Sequence, residues 1–314
     1  MRMCFRAFKI FPFIQRLTER KEELITATRS VISDFAADNV VYLELRTTPK
    51  FSKWMSRREY VKVVVDTIEA MKHELPNIVV RLILSVDRRQ TVEDAQETIN
   101  LAKEYCTICF SVSVASPVIV GVELSGDPTF DGRKFLPLFE EAAKFGLPFT
   151  LHLAEVPGCL EEIEEFLLVK PNRIGHGTFI SRNPDKVKGE NCTKLVLRER
   201  IPIEICLTSN VLCGTTESYA SSHFYHYFSK KHPVALCTDD RGIMSCCLST
   251  EFLIAAKTFQ LSRQDLLNIA MDSFSAGFIH KTLGSGEDIW KVMQNFKKFA
   301  CVENLKLCTL GTLE

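Results

Sequence analysis

Three short segments carry side chains of the kind that do chemistry. LHLAE (151–155) pairs His152 with Glu155, GHGT (175–178) sets His176 between two glycines, and CTDD (237–240) ends in Asp239 and Asp240. Two imidazoles and a carboxylate are nitrogen and oxygen donors of the type that hold Zn²⁺ and leave a position open for water. A further carboxylic acid, Glu155, could shuttle a proton while the metal supplies hydroxide. That combination describes a hydrolase. Singly, each residue has a structural reading: a strand histidine is commonly a satisfied core residue, and Asp-Asp at a strand end caps a helix or turn. What points to a site is their joint placement at the ends of successive strand-like runs.

Those runs recur along the chain. Residues 39–46, 78–87, 119–125, 149–155, 173–177, 201–208 and 233–240 read as strands, and they are close to continuously apolar, as strands covered on both faces are. Helical periodicity fills the intervals, clearly so at 58–75, 91–106, 135–146 and 160–169. The pattern is repeated βα, with no internal repeat and no Pro/Gly linker to divide it, so the expectation is one α/β domain over residues 1–314. Either an open doubly wound sheet or a closed (β/α)8 barrel would satisfy the count. Polar residues decide between them, because they gather where the strands end: Glu44, Arg46 and Thr48, then Asp87 and Arg88, Ser125 and Asp127, His152 and Glu155, His176, Thr208 to Asn210, and Asp239 with Asp240. A barrel brings all of these to one mouth. There is no GxGxxG or GxxxxGK[ST] loop to cradle a nucleotide in an open sheet. A TIM-type barrel is therefore predicted.

Composition narrows the partners. Lys plus Arg (39) balances Asp plus Glu (39), without long blocks of one sign, which argues against polymeric nucleic acid or an anionic membrane as partner. Apolar runs are interrupted well before the roughly 20 residues a membrane span needs. A small-molecule substrate, a cytosolic location and a monomer are expected. The 12 cysteines include Cys206, Cys237, Cys246 and Cys247 inside apolar segments, where a thiol packs as a small hydrophobe, so they read as free. The lone CxxC, Cys106 to Cys109, has no second pair at zinc-finger spacing and reads as a packed helix or strand face. At the N-terminus Arg2, Arg6, Lys9 and Arg16 occur without an acidic residue, as in a transit peptide, yet their helical spacing predicts a helix packed on the core, kinked at Pro12.

YLELRTTPK, VDRR, LSGDP, LHLAEVP, RIGHGTF, EICLTSNV and HPVALCTDDRG, in this order, resemble the motif set of the adenosine/AMP deaminase superfamily of metal-dependent barrel hydrolases, a resemblance that spans about residues 40 to 280, and within it the adenosine deaminase-like proteins that act on N6-methyl-AMP. The resemblance implies that His152 and Asp239 are zinc ligands. It makes Glu155 the donor of a proton to purine N1 as a zinc-bound hydroxide attacks C6, with His176 orienting that hydroxide. Asp240 would share a proton with N7, and the Gly126 N–H would meet N3. Thr47, Thr48, Pro49 and Lys50 correspond to the phosphate-side loop, and Asp87 is a further candidate contact. Protonating the ring while hydroxide adds avoids both a free hydroxide and a ring anion. The products would be IMP and methylamine.

One departure matters. The superfamily's first strand carries His-x-His, two further zinc ligands, whereas the seven histidines here are His73, His152, His176, His223, His226, His232 and His280, no two of them separated by one residue. The chain is expected to begin one element late, with the barrel open where that strand would pair. It is then either a piece of an active enzyme or a metal-poor chain that only binds purine nucleotide; an adenosine or adenine deaminase is the rival enzyme. His223 and His226 in HFYH read as a partly buried helix face, not as replacement ligands. Residues 280–314 are only loosely like the family's final helix, and KKFACVENLKLC is read as terminal packing.

Overall fold

The computed structural model describes residues 4–111, 117–182, 185–282 and 286–300, with the side chains of 4–9, 107–111, 299 and 300 excluded. Two helices, α1 (Cys4–Leu17) and α2 (Lys21–Ala37), lead into a run of alternating strands and helices: β1 (Tyr42–Thr47), α3 (Arg57–Glu74), β2 (Val79–Asp87), α4 (Val92–Ser111), β3 (Ile119–Ser125), α5 (Leu136–Phe145), β4 (Phe149–Leu153), α6 (Leu160–Leu168), β5 (Arg173–His176), α7 (Lys186–Glu199), β6 (Ile203–Ile205), α8 (Leu207–Leu212), α9 (Phe224–Phe228) and β7 (Val234–Leu236). Four helices close the sequence: α10 (Arg241–Met244), α11 (Leu248–Phe259), α12 (Arg263–Ser275) and α13 (Gly286–Ala300).

All seven strands are parallel and adjacent in chain order, from β1 to β7. This is a curled sheet of the (β/α) barrel type, as the sequence predicts. Among the described residues, β1 and β7 do not pair with each other. The burial of β1 reflects that position: it is half-buried throughout, while its neighbour β2 is buried from Val79 to Val86. Local signals set the helix ends. Ser56 accepts from the Glu59 N–H while Glu59 answers the Ser56 N–H, a capping box that starts α3, and Ser262 with Asp265 does the same for α12.

Apolar faces of the helices close over the sheet. Phe139 of α5, Phe149 of β4 and Phe166 of α6 meet at 5.5 and 6.1 Å between ring centroids. The bottom of the barrel is stopped by Phe278, in the single-turn helix Phe278–Lys281. Gly121 makes room for it: a Cβ there would lie 2.5 Å from the Phe278 ring and 2.6 Å from the Pro148 carbonyl oxygen. No helix among the described residues is long and apolar enough to cross a membrane.

Two sequence expectations change in detail. The run at 201–208 is a strand only over Ile203–Ile205, because α8 begins at Leu207, where Glu251 accepts hydrogen bonds from the Thr208 N–H and hydroxyl. Glu44 and Arg46 do not stand at the mouth; they lie within β1, where they join ion pairs with β3, β5 and β6. The described cysteines are free, and Cys106 donates to the Ile119 carbonyl at 3.4 Å. The Cys109 side chain, Arg2, the side chains of Arg6 and Lys9, and 301–314 of the C-terminal stretch lie outside the described residues. Helix α1 runs through Pro12.

Candidate active site

The strand ends β4, β5 and β7 present the three segments to one cavity of about 1180 Å³. His152 is on the last turn of β4. Its Nδ1 lies 3.1 Å from the Leu124 carbonyl, an acceptor, which assigns the proton to Nδ1 and leaves Nε2 as the ring's lone pair. Gly175 of β5 lets that ring sit close, since a Cβ there would be 3.2 Å from His152 Cγ. The chain then turns sharply at each strand end. Ala154, His176 and Asp239 all have positive φ, +54°, +59° and +56°, a left-handed backbone that non-glycine residues adopt at a cost and that clusters at functional sites.

His176, buried at the end of β5, has its Nε2 3.9 Å from both Glu155 Oε1 and Asp239 Oδ2. Burial works against charge on this imidazole, but Glu155 and Asp239 outweigh it and lift the pKa above its usual value. Asp239 accepts a 2.6 Å hydrogen bond from Ser209 Oγ. Burial opposes its ionisation, yet His176 and that hydrogen bond hold its pKa below the ordinary value. Asp240 meets the solvent in the recess, where desolvation and then repulsion from Asp239, Glu123 and Glu155 push it up to about 8. Adjacent carboxyls are therefore pushed in opposite directions, Asp239 toward the ionised form and Asp240 toward the protonated one.

A divalent metal fits this donor set. His176, the Cys206 thiol and Asp239 offer one nitrogen, one sulfur and one oxygen atom within 4.8 Å of one another, and the His152 ring centroid is 5.1 Å from that of His176. Imidazole, thiolate and carboxylate are donors for a borderline ion.

The remaining predicted contacts divide. Thr47, Thr48, Asp87 and Gly126 line the same cavity, as do Glu155 and Asp240. Gly126, at φ +95°, packs directly on Asp87, and a Cβ there would lie 2.6 Å from Asp87 Oδ1. Pro49 and Lys50 are not part of the cavity wall. Burial, opposed by Glu19 and by Asp87 of that wall, lowers the Lys50 pKa to about 8. The cation that does reach the wall from β2 is Arg89.

Comparison with known proteins agrees with this geometry. The sequence model described as adenosine deaminase matches residues 4–284. The chain belongs to the adenosine deaminase family. It is 41% identical over 276 residues to the adenosine deaminase-like protein of Caenorhabditis elegans, covering 87% of this chain and 68% of that protein. With the N6-methyl-AMP deaminase of Danio rerio it shares 40% identity over 264 residues, 83% of this chain and 73% of the relative. The crystal structure of Arabidopsis ADAL complexed with IMP superposes with a TM-score of 0.83 at 35% identity, covering 96% of this chain and 84% of that one.

Within this deaminase, the bracing roles of several residues escaped sequence reasoning, even where the residues themselves had been noted at strand ends. Arg88, 1% exposed, donates to the carbonyls of His152 (2.7 Å) and Phe130 (2.8 Å) and pairs with buried Glu162, so it fixes the backbone that carries His152. Beneath the mouth runs an ionic chain. Arg173 joins Glu44 and Glu204, Arg46 joins Glu204 and Glu123, and Glu123 Oε2 lies 3.8 Å from His152 Nδ1. His223 is fully buried and donates from Nε2 to the His176 carbonyl at 2.7 Å, steadying the strained turn; burial lowers its pKa to about 3, so it is neutral. The doubled arginine in VDRR and charges inside otherwise apolar strands were the available signals for the first two. Cys206, read as a core hydrophobe, is buried as expected, but only the fold shows its sulfur facing His176 and Asp239.

Proposed function

We propose that this chain, as one deaminase barrel domain with a divergent helical C-terminal region, is a cytosolic purine nucleotide deaminase that converts N6-methyl-AMP and water to IMP and methylamine. The observation that carries the reading is the convergence of Glu155, His176, Asp239 and Asp240 on one cavity. The relatives named N6-methyl-AMP deaminase and the Arabidopsis structure complexed with IMP supply the substrate class.

In this reading protonated Glu155 gives a proton to purine N1 as water adds at C6, so that the displaced electrons settle on a neutral ring; of the water's two protons one leaves on methylamine and the other restores Glu155. Asp240 shares a proton with N7, the Gly126 N–H meets N3, and His176, between Glu155 and Asp239, orients the attacking water. His152 and Asp239, with His176 and Cys206 alongside, would hold a zinc ion, which when bound lowers the pKa of water toward neutrality. Arg88 and His223 keep the two histidines in place through their carbonyls.

The test is turnover of N6-methyl-AMP followed by detection of methylamine and IMP. Glu155→Gln keeps shape and removes the acid, so kcat falls by about 10²- to 10⁴-fold while KM changes little. Equal turnover by the variant would remove Glu155 from the acid role.

A further inference from the structure

Helix α8 spans six residues and carries two side chains that reach the site from below. Ser209, 2% exposed, donates from Oγ to Asp239 Oδ2 at 2.6 Å. Asn210, also buried, donates from Nδ2 to Thr215 Oγ1 at 3.2 Å and has His176 Nδ1 at 3.5 Å. One short helix thus bridges the end of β5 to the end of β7. So few residues make too few internal hydrogen bonds to hold a helix in place, so its neighbours must fix it.

The first turn of α8 has no local cap. Cys206, the residue before the helix, makes no capping hydrogen bond from its side chain. The open donors are met instead by Glu251, which lies in the first turn of α11 and is fully buried. Glu251 Oε2 accepts the Thr208 N–H at 3.1 Å, Oε1 accepts the Thr208 hydroxyl, and the Leu207 N–H bonds the same carboxyl group. Three donors on one turn, gathered by a single side chain 43 residues further along the chain, fix both the height and the rotation of the helix.

We propose that Glu251 is a positioning residue for the metal site: by pinning the first turn of α8 it holds Ser209 where its hydroxyl orients Asp239 as a ligand. This role rests on the metal site of the deaminase reading and acts through Ser209. Without Glu251 the Thr208 N–H and hydroxyl lose their acceptor and the turn can shift. The Ser209 bond to Asp239 is 2.6 Å long, and a displacement of about 1 Å takes it out of hydrogen-bond range. Hydrogen bonds that orient a metal ligand from outside are worth about 10- to 100-fold in metal affinity.

Calorimetry on the full chain tests this without requiring turnover, with Zn²⁺ as one ligand and IMP at saturating Zn²⁺ as the other. The zinc event followed is the one that Asp239→Asn abolishes. Glu251→Gln keeps the volume but exchanges an acceptor oxygen for a donor, so it weakens Zn²⁺ by about 10- to 100-fold and leaves IMP within roughly threefold. Ser209→Ala has the same effect, and the double variant is weaker than the worse single by no more than about threefold, because both changes remove one interaction. Thr208→Val takes away one of the three donors, keeps the buried carboxyl group and gives a smaller loss of the same sign, which carries the test if Glu251→Gln does not fold. A wild type that binds neither Zn²⁺ at this site nor IMP overturns the deaminase reading and this role with it. Where the wild type binds both, Zn²⁺ affinity unchanged in Glu251→Gln, an equal loss for Zn²⁺ and IMP, or losses that multiply in the double variant overturn the role of Glu251 alone.

Discussion

Replacing Arg88 with methionine tests how the barrel holds the end of β4 that carries His152. The side chain is 1% exposed, and its pair, Glu162, is 5% exposed. Methionine preserves most of the volume, so the cavity contribution is small and the cost is electrostatic. Three acceptors lose a donor: the carbonyls of His152 and Phe130 and the Glu162 carboxylate, which retains only the Gly132 N–H at 2.6 Å. Removing one member of a buried pair costs about 3–5 kcal/mol, because the surviving charge is left in a poorly solvating interior. Each orphaned carbonyl could add about 1–3 kcal/mol, but polypeptide relaxation and water entry make these non-additive, so about 3–5 kcal/mol is the expected total. Against a typical stability of about 5–15 kcal/mol that is a large fraction. Urea unfolding followed by circular dichroism reads it as a lower midpoint at unchanged slope. The double variant Arg88→Met/Glu162→Leu removes both charges, and its loss is smaller than the sum of the two single losses by at least about 2 kcal/mol. A loss below about 1 kcal/mol in Arg88→Met, or strict additivity in the cycle, would refute the argument that this buried pair holds the β4 end.

Two further outcomes follow from the same geometry. Gly126→Ala places a Cβ 2.6 Å from Asp87 Oδ1 and 3.0 Å from the Arg88 N–H at a left-handed φ, so the turn must open; IMP affinity falls at least tenfold for a stability loss of about 1–3 kcal/mol, measured by calorimetry and urea unfolding. At acid pH the barrel interior is the weak point. Burial raises the pKa of Glu204, but Arg46 and Arg173 outweigh it and hold the carboxyl far below its ordinary 4.5. A depressed folded pKa contributes stability that is complete above about 4.5 and lost as pH falls further, so urea midpoints decline below that point, and Glu204→Gln, already less stable at pH 7, shows a shallower decline.

The repeated βα order, five of the seven strands nearly to their ends, and the histidine and carboxylate segments at the mouth were legible in the linear chain; the runs at 201–208 and 233–240 are strands only over Ile203–Ile205 and Val234–Leu236. These depend on local periodicity and on residue types that recur at strand ends, which short windows carry. Glu155, His176, Asp239 and Asp240 could therefore be named before any geometry. Their division of labour could not. That the pKa of Asp240 is raised while that of Asp239 is lowered depends on which charges face each carboxyl across the barrel.

What the sequence determined alone is thus the architecture and the identity of the reactive groups, since both follow from pattern. What only the tertiary structure decided is which groups brace them. Arg88 reaches a carbonyl 64 residues away, His223 one 47 residues away, and Arg173 spans 129 residues to Glu44. It also brought the Cys206 sulfur to face His176 and Asp239. Such contacts leave no periodic trace, because parallel strands meet through long crossovers, and the side chains that converge inside the barrel are set by sheet register and curvature.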